Sequence, residues 1–190
     1  FILENHGIIA SATSINKLIS FTELITEKAE KSLNVNFEHY KKTTKISTEL
    51  RLAGYKNMSV LCSEDLIINN FLKKFNISKI NEPLNPDSLL YCGLGLMSSS
   101  GNFKRSLIKY KYKYRNYPRV IKIKDRIYFV AENILKAKEI EDVFKSHLYL
   151  YSGGIEKRSL SKDDIKRLES YNPQKNRLRF WFDYEGKKEK

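Results

Sequence analysis

The chain has 190 residues, with 35 Lys and Arg against 22 Asp and Glu, a formal net charge of +13. Its 41% hydrophobic and 12% aromatic content excludes a disordered polybasic tail and is enough to build a sizeable core. No apolar run is long enough for a transmembrane helix, and the opening Phe1-Ile2-Leu3-Glu4-Asn5-His6 has neither the charged start nor the cleavage site of a signal peptide.

Residues 1 to 12 read as an apolar strand broken by Asn5-His6-Gly7. Thr13 or Ser14 can cap the helix that follows, in which Ile15, Leu18, Ile19, Thr22, Ile25, Ala29 and Leu33 fall at helical spacing. Thr43 or Thr44 opens a shorter helical pattern that ends at Gly54, a residue suited to a left-handed cap. Met58 to Cys62 is a short β-type run. Ser63-Glu64-Asp65 then starts a helix whose apolar face is Leu66, Ile67, Phe71, Leu72 and Phe75, and which closes on Lys73-Lys74.

Pro83 to Ser88 reads as a turn, Leu89 to Cys92 as a short strand, and Gly93 to Asn102 as a loop. The alternation Lys109-Tyr110-Lys111-Tyr112-Lys113-Tyr114-Arg115 predicts a strand with one cationic and one tyrosine face. Val120-Ile121-Lys122-Ile123 and Ile127-Tyr128-Phe129-Val130 flank a hairpin turn at 124–126. Asn133 caps a long helix carrying Ile134, Ala137, Ile140, Phe144, His147, Leu148 and Tyr151. Ser161 and Asp164 form a capping box for a last helix that stops before Pro173. Interleaved helices and strands without a repeat indicate an α/β or α+β protein.

The charge is local. Ten basic residues lie between Lys104 and Arg126 and only Asp125 opposes them, so this segment carries +9 of the +13. Three readings fit it: a nucleic-acid surface of cations and stacking rings, an edge strand whose lysines block aggregation, or a groove for phosphorylated or carboxylated small molecules. No nucleic-acid motif accompanies it, so the edge strand is the expected reading and nucleic acid is not the expected partner.

Of three dispersed histidines, His6 is the most informative, since an imidazole before glycine sits where backbone can turn sharply or be approached closely. His39 is expected to be exposed and His147 to pack in the core. Cys62 and Cys92 have no partners at metal-ligand spacing; they suit a reducing, cytoplasmic compartment and small buried positions at strand ends. Gly93-Leu94-Gly95-Leu96 is no dinucleotide fingerprint. Ser98-Ser99-Ser100-Gly101 could hold an anion on backbone amides, although a flexible loop is the simpler expectation. There is no nucleophile elbow, P-loop or paired-carboxylate spacing, and so no catalytic residue is named. A first residue of Phe1 rather than methionine suggests a chain whose upstream part is elsewhere.

One resemblance goes further. Leu3-Glu4-Asn5-His6-Gly7-Ile8-Ile9-Ala10, followed by a helix rich in Glu and Ala, resembles the end of the class II aldolase/adducin domain. Longer members, including relatives of the rhamnulose-phosphate aldolases, carry an extension with a Leu-Arg helix, a Thr-Pro-Asp-His turn, a hairpin, a helix and a short terminal helix. Glu49-Leu50-Arg51-Leu52, Asn85-Pro86-Asp87-Ser88, Val120 to Ala131, Asn133 to Tyr151 and Leu160 to Tyr171 are similar and in the same order, with Ser88 where the family has histidine.

The resemblance implies residues 1–34 as the last strand and helix of an aldolase-like αβα layered domain. It implies residues 35–190 as a small α/β extension with a mixed sheet and a hairpin. It also implies zinc, with His6 as one of its ligands and the other two histidines and an acid/base glutamate upstream. The expected activity is aldol cleavage or condensation of a phosphorylated sugar by a homo-oligomer without membrane contact. The rival expectations are a non-catalytic, adducin-like interaction domain and a basic nucleic-acid module using the Lys/Tyr segment.

Overall fold

The register of one strand organises most of the chain. In the sequence Ile127-Tyr128-Phe129-Val130-Ala131 every side chain is fully buried. Successive strand residues point to opposite faces, so a run this apolar needs cover on both. It has that cover in a computed structural model, which describes residues 2–3, 7–75, 77, 80, 82–152 and 159–171. Ile127, Phe129 and Ala131 enter one core cluster with Ile68, Phe71, Leu90, Ala137, Ile140, Phe144 and Leu148. Tyr128 and Val130 enter a second with Ile46, Leu50, Met97, Leu107 and Tyr110. Helices therefore sandwich a central sheet.

The elements in chain order are β1 (Ile2–Leu3), β2 (Gly7–Ile8), α1 (Ile15–Leu33), α2 (Glu38–Leu52), β3 (Ser59–Cys62), α3 (Leu66–Lys74), α4 (Pro86–Cys92), β4 (Met97–Ser99), α5 (Phe103–Tyr114), β5 (Val120–Ile123), β6 (Arg126–Ala131), α6 (Ile134–Ser152) and α7 (Lys162–Ser170). They form two units, residues 1–39 and 40–190.

In the first unit β1 and β2 pair antiparallel, with Ile2 opposite Ile8 and Leu3 opposite Gly7. Gly7 has φ +103°, a conformation glycine adopts without Cβ strain. Ser14 caps α1 by accepting from the Lys17 amide, and Asn34 closes it in the left-handed region at φ 52°. No residue described between 7 and 39 is buried.

The second unit holds a four-stranded mixed sheet in the order β3-β6-β5-β4. β6 is antiparallel to both neighbours, whereas β4 and β5 are parallel and are joined through α5. A two-residue turn with Lys124 at φ 53° links β5 to β6, so the expected mixed sheet and hairpin are both present. Asp65 caps α3 through the Ile67 and Ile68 amides, Asn133 accepts from the Lys136 amide at the start of α6, and Ser161 with Asp164 forms the predicted box.

Three sequence expectations need correction. Lys109–Tyr114 is helical, the end of α5, not a strand, and Arg115 closes the helix in the left-handed region at φ 56°. Phe103, Leu107, Tyr110 and Tyr114 form its inner face, while Tyr112 is 75% exposed on the other side. Positions 110 and 114 satisfy both a two-residue and a four-residue period; Leu107 and Phe103 upstream decide for the helix, and Asn102 caps it by accepting from Arg105 N. Second, Leu89 to Cys92 belongs to α4, which Pro86 and the Asn85–Ser88 box initiate. Third, the stretch from Gly93 to Asn102 is not all loop, because Met97–Ser99 pairs with β5. In addition, α2 begins at Glu38, one turn before Thr43.

Candidate functional site

His6, the one metal ligand expected in this chain, lies outside the described residues. Of the other histidines, His39 is half-buried near the start of α2 rather than exposed. His147 is 5% exposed on α6 beside Phe144, as expected of a core residue. Neither ring nitrogen of His147 has a hydrogen-bond partner, and burial lowers its pKa to about 4. Among the described residues no three His, Cys, Asp or Glu side chains are grouped as metal ligands. The zinc implied by resemblance thus has no further ligand set in the described part of the chain.

Both cysteines are buried and unpaired with each other. Burial pushes the Cys92 thiol up to about 12 and raises Cys62 as well, so neither is a thiolate at neutral pH. Cys62 ends a strand as expected; Cys92 ends helix α4 instead.

Ser88 is 1% exposed. Its hydroxyl accepts from the Leu84 and Asn85 amides at 3.0 and 3.1 Å and donates to the Asn85 carbonyl at 2.9 Å, while Asn85 Oδ1 accepts from Ser88 N at 2.7 Å. All of its bonding capacity goes into starting α4. Replacing Ser88 by Ala should lower the stability of the second unit by about 1–2 kcal/mol, read as a shift in its urea midpoint.

The polar side chains that the fold does bring together lie between α6 and the β3–α3 turn. Glu141 is 1% exposed, and its Oε1 accepts from the fully buried Ser63 hydroxyl at 2.6 Å. Its Oε2 lies 2.5 Å from Lys138 Nζ. Lys145 Nζ, one turn on, reaches Asp142 at 2.8 Å and Asp65 at 3.1 Å. Asp142, together with Asp65 and against some desolvation, pushes Lys145 up to about 12. Ser63 resembles a nucleophile next to a base, but no substrate can reach a hydroxyl with no exposed surface. The cluster is a clamp.

A second buried polar group is Arg119, whose guanidinium donates to the Leu90 carbonyl at the end of α4. Just before β5 and just after β6, the two central strands, Tyr117 donates to Glu132 at 3.1 Å. Sequence reasoning missed both Arg119 and Glu141. Glu141 had a signal: it falls on the same α6 face as Ala137, Ile140, Phe144 and Leu148.

A shallow cleft of about 550 Å³ runs along α2, where Thr43, Thr44, Ser47, Thr48 and Arg51 face Ser59 and Val60 of β3. Thr43 and Ser47 donate their hydroxyl protons to the Tyr40 and Met58 carbonyls, which leaves Arg51 and the Thr44 and Thr48 hydroxyls as donors to a polar, anionic molecule. Within the Leu50-Arg51 pair, Leu50 is fully buried in the core and Arg51 lines this cleft.

No helix among the described residues is long and apolar enough to cross a membrane. No protein-family model matches the chain, and no curated protein matches it.

Proposed function

We propose that the chain is the C-terminal part of a zinc-dependent class II aldolase-like enzyme that cleaves or forms a carbon–carbon bond in a phosphorylated sugar. The observation that carries this is the segment Asn5-His6-Gly7 leading through β2 into the Ser14-capped α1. In the proposed enzyme His6 supplies one imidazole to the metal, and the remaining ligands and the acid/base glutamate come from residues outside this chain. Bound zinc would polarise the substrate oxygens.

The state of α1 supports the same reading. Its apolar stripe has Ile15 76% exposed, Ile19 50% and Leu33 67%, with Leu18, Ile25 and Ala29 half-buried between them. A stripe of this width stays apolar in sequence because something covers it. In the proposed protein, the body of the catalytic domain provides that cover. Residues 35–190 form an α/β extension, and Ser88, engaged in its cap, gives that extension no catalytic group at the position where the family has histidine.

The test is aldol cleavage by the intact protein over a panel of phosphorylated ketoses. His6→Ala removes a proposed ligand and should lower kcat/KM by more than the roughly 10–100-fold that losing a ligand's supporting partner costs, while the thermal transition of residues 40–190 stays in place. Unchanged cleavage in His6→Ala would overturn the proposal. Absence of cleavage in the unmodified protein would favour the non-catalytic, adducin-like role.

A further inference from the structure

Among the helices described, α5 carries the densest positive charge. Lys104, Arg105, Lys109, Lys111, Lys113 and Arg115 are all exposed, and residues 103–115 contain no acid. Among the described residues, the ion pairs that form lie on other elements. Lys111 Nζ donates to the Ala53 carbonyl at 2.8 Å, and Arg115 lies over the Tyr112 ring at 5.2 Å. The opposite face is anchored: Tyr110 is buried and donates to the Gly95 carbonyl at 2.8 Å. The outward face is therefore held in place before any partner arrives.

The arrangement of that face selects the partner. At 3.6 residues per turn, Ile108 and Tyr112 occupy its centre, 59% and 75% exposed. Lys104 and Lys111 flank them on one side, with the C-cap Arg115 over the Tyr112 ring; Arg105, Lys109 and Lys113 flank them on the other. Cations on both flanks of a helix roughly 10–12 Å wide match the two phosphate rows that border a B-form major groove about 12 Å wide.

Other anionic partners fit less well. A lipid surface needs a broader apolar strip than two residues. Duplex RNA has a major groove too narrow for a helix. Single strands favour a basic groove, whereas this face is convex.

We propose that α5 is a docking helix for double-stranded B-form DNA. Its two cationic flanks contact the two backbones, and Ile108 and Tyr112 face the base edges. This site is separate from the aldolase-type segment at residues 3–10, so either proposal can fail alone.

The test is fluorescence anisotropy of a labelled B-DNA duplex of about two helical turns, titrated with the full chain between about 50 and 200 mM salt. Six phosphate contacts predict a slope of log affinity against log salt of about −5, and a loss of about a thousandfold across that range. The variant Arg105→Gln, Lys109→Gln, Lys113→Gln should make the slope shallower by about 3. Tyr112→Ala should weaken binding by about tenfold without changing the slope. A control neutralising Lys73, Lys162 and Lys166 should leave both quantities as they were.

All of these side chains are exposed, so circular dichroism should be unaltered in every variant. The proposal is overturned by no binding at the lowest salt or by equal slopes for the α5 variant and the unmodified chain. Tighter binding to duplex RNA or to phosphatidylserine vesicles than to DNA would overturn it too.

Discussion

Replacing Glu141 by Ala should destabilise the 40–190 unit by about 3 kcal/mol, the largest single effect expected outside the apolar core. The Ser63 hydroxyl has no exposed surface, and Glu141 Oε1 accepts its hydrogen bond at 2.6 Å. Without that acceptor a buried donor is stranded, which costs about 1–3 kcal/mol. One buried methylene, Cγ, goes with the carboxylate, at about 0.8 kcal/mol, and part of the total is returned because a desolvated charge is removed. Lys138 contributes little, since its side chain is 59% exposed and solvent screens the pair.

Glu141→Gln separates these terms. The amide oxygen can still accept from Ser63, so this variant should lose only about 1 kcal/mol. Urea melts followed by circular dichroism would measure both. A fall in melting temperature of about 6–12 °C for the alanine variant corresponds to the same energy in a unit of this size. Equal stability of Glu141→Ala and the unmodified chain would show that the α6 clamp contributes nothing.

Acid should weaken the same unit through His147. The ring is 5% exposed with both nitrogens unpartnered, and burial lowers its pKa from 6.5 to about 4. Below pH 6.5 the unfolded chain binds a proton that the folded chain refuses, so stability is complete above 6.5 and falls as pH drops. The loss ends near pH 4, where the folded state accepts the proton as well. Over that window it amounts to about 3 kcal/mol. His147→Leu fills the site without a titrating group and should remove this slope, leaving the shallower dependence from Asp65 and from Asp164, whose pKa the Ser161 side-chain and backbone hydrogen bonds lower. Burial raises the Asp65 pKa, but the Ile68 and Ile67 amides and Lys145 outweigh it and hold the pKa below the usual value. If the unmodified chain and His147→Leu lose stability in parallel between pH 6.5 and 4, His147 is not the group responsible.

Capping chemistry made much of this fold legible. Ser14, Asp65, Asn133 and Ser161 each sit where the sequence places a helix start, because a short polar side chain before an apolar period has few other uses. The β5–β6 hairpin was equally readable, two β-branched and aromatic runs around Lys124-Asp125. The same logic was available for α4 in Asn85, Pro86 and Ser88, but a helix of seven residues leaves little apolar period to detect. β4 was hidden for a different reason. Met97-Ser98-Ser99 has no strand propensity of its own and is extended because β5 supplies its hydrogen bonds.

The Lys/Tyr segment misled because alternation and helical spacing coincide at Tyr110 and Tyr114, and only the residues before them separate the two. The candidate sites were less legible than the fold. Glu141 and Arg119 are charged, and charge is normally read as surface; their burial depends on partners 78 and 29 residues away in sequence, Ser63 and Leu90. His6 carries its meaning through the short motif around it rather than through any side-chain cluster in the described residues.

The most direct test of the aldolase-type assignment is the zinc content of the intact protein, measured by elemental analysis after dialysis against a weak chelator. About one zinc per chain is expected, lost in His6→Ala while the melting transition of residues 40–190 is unchanged. Zinc retained at full stoichiometry in His6→Ala, or no zinc in the unmodified protein, would contradict the assignment.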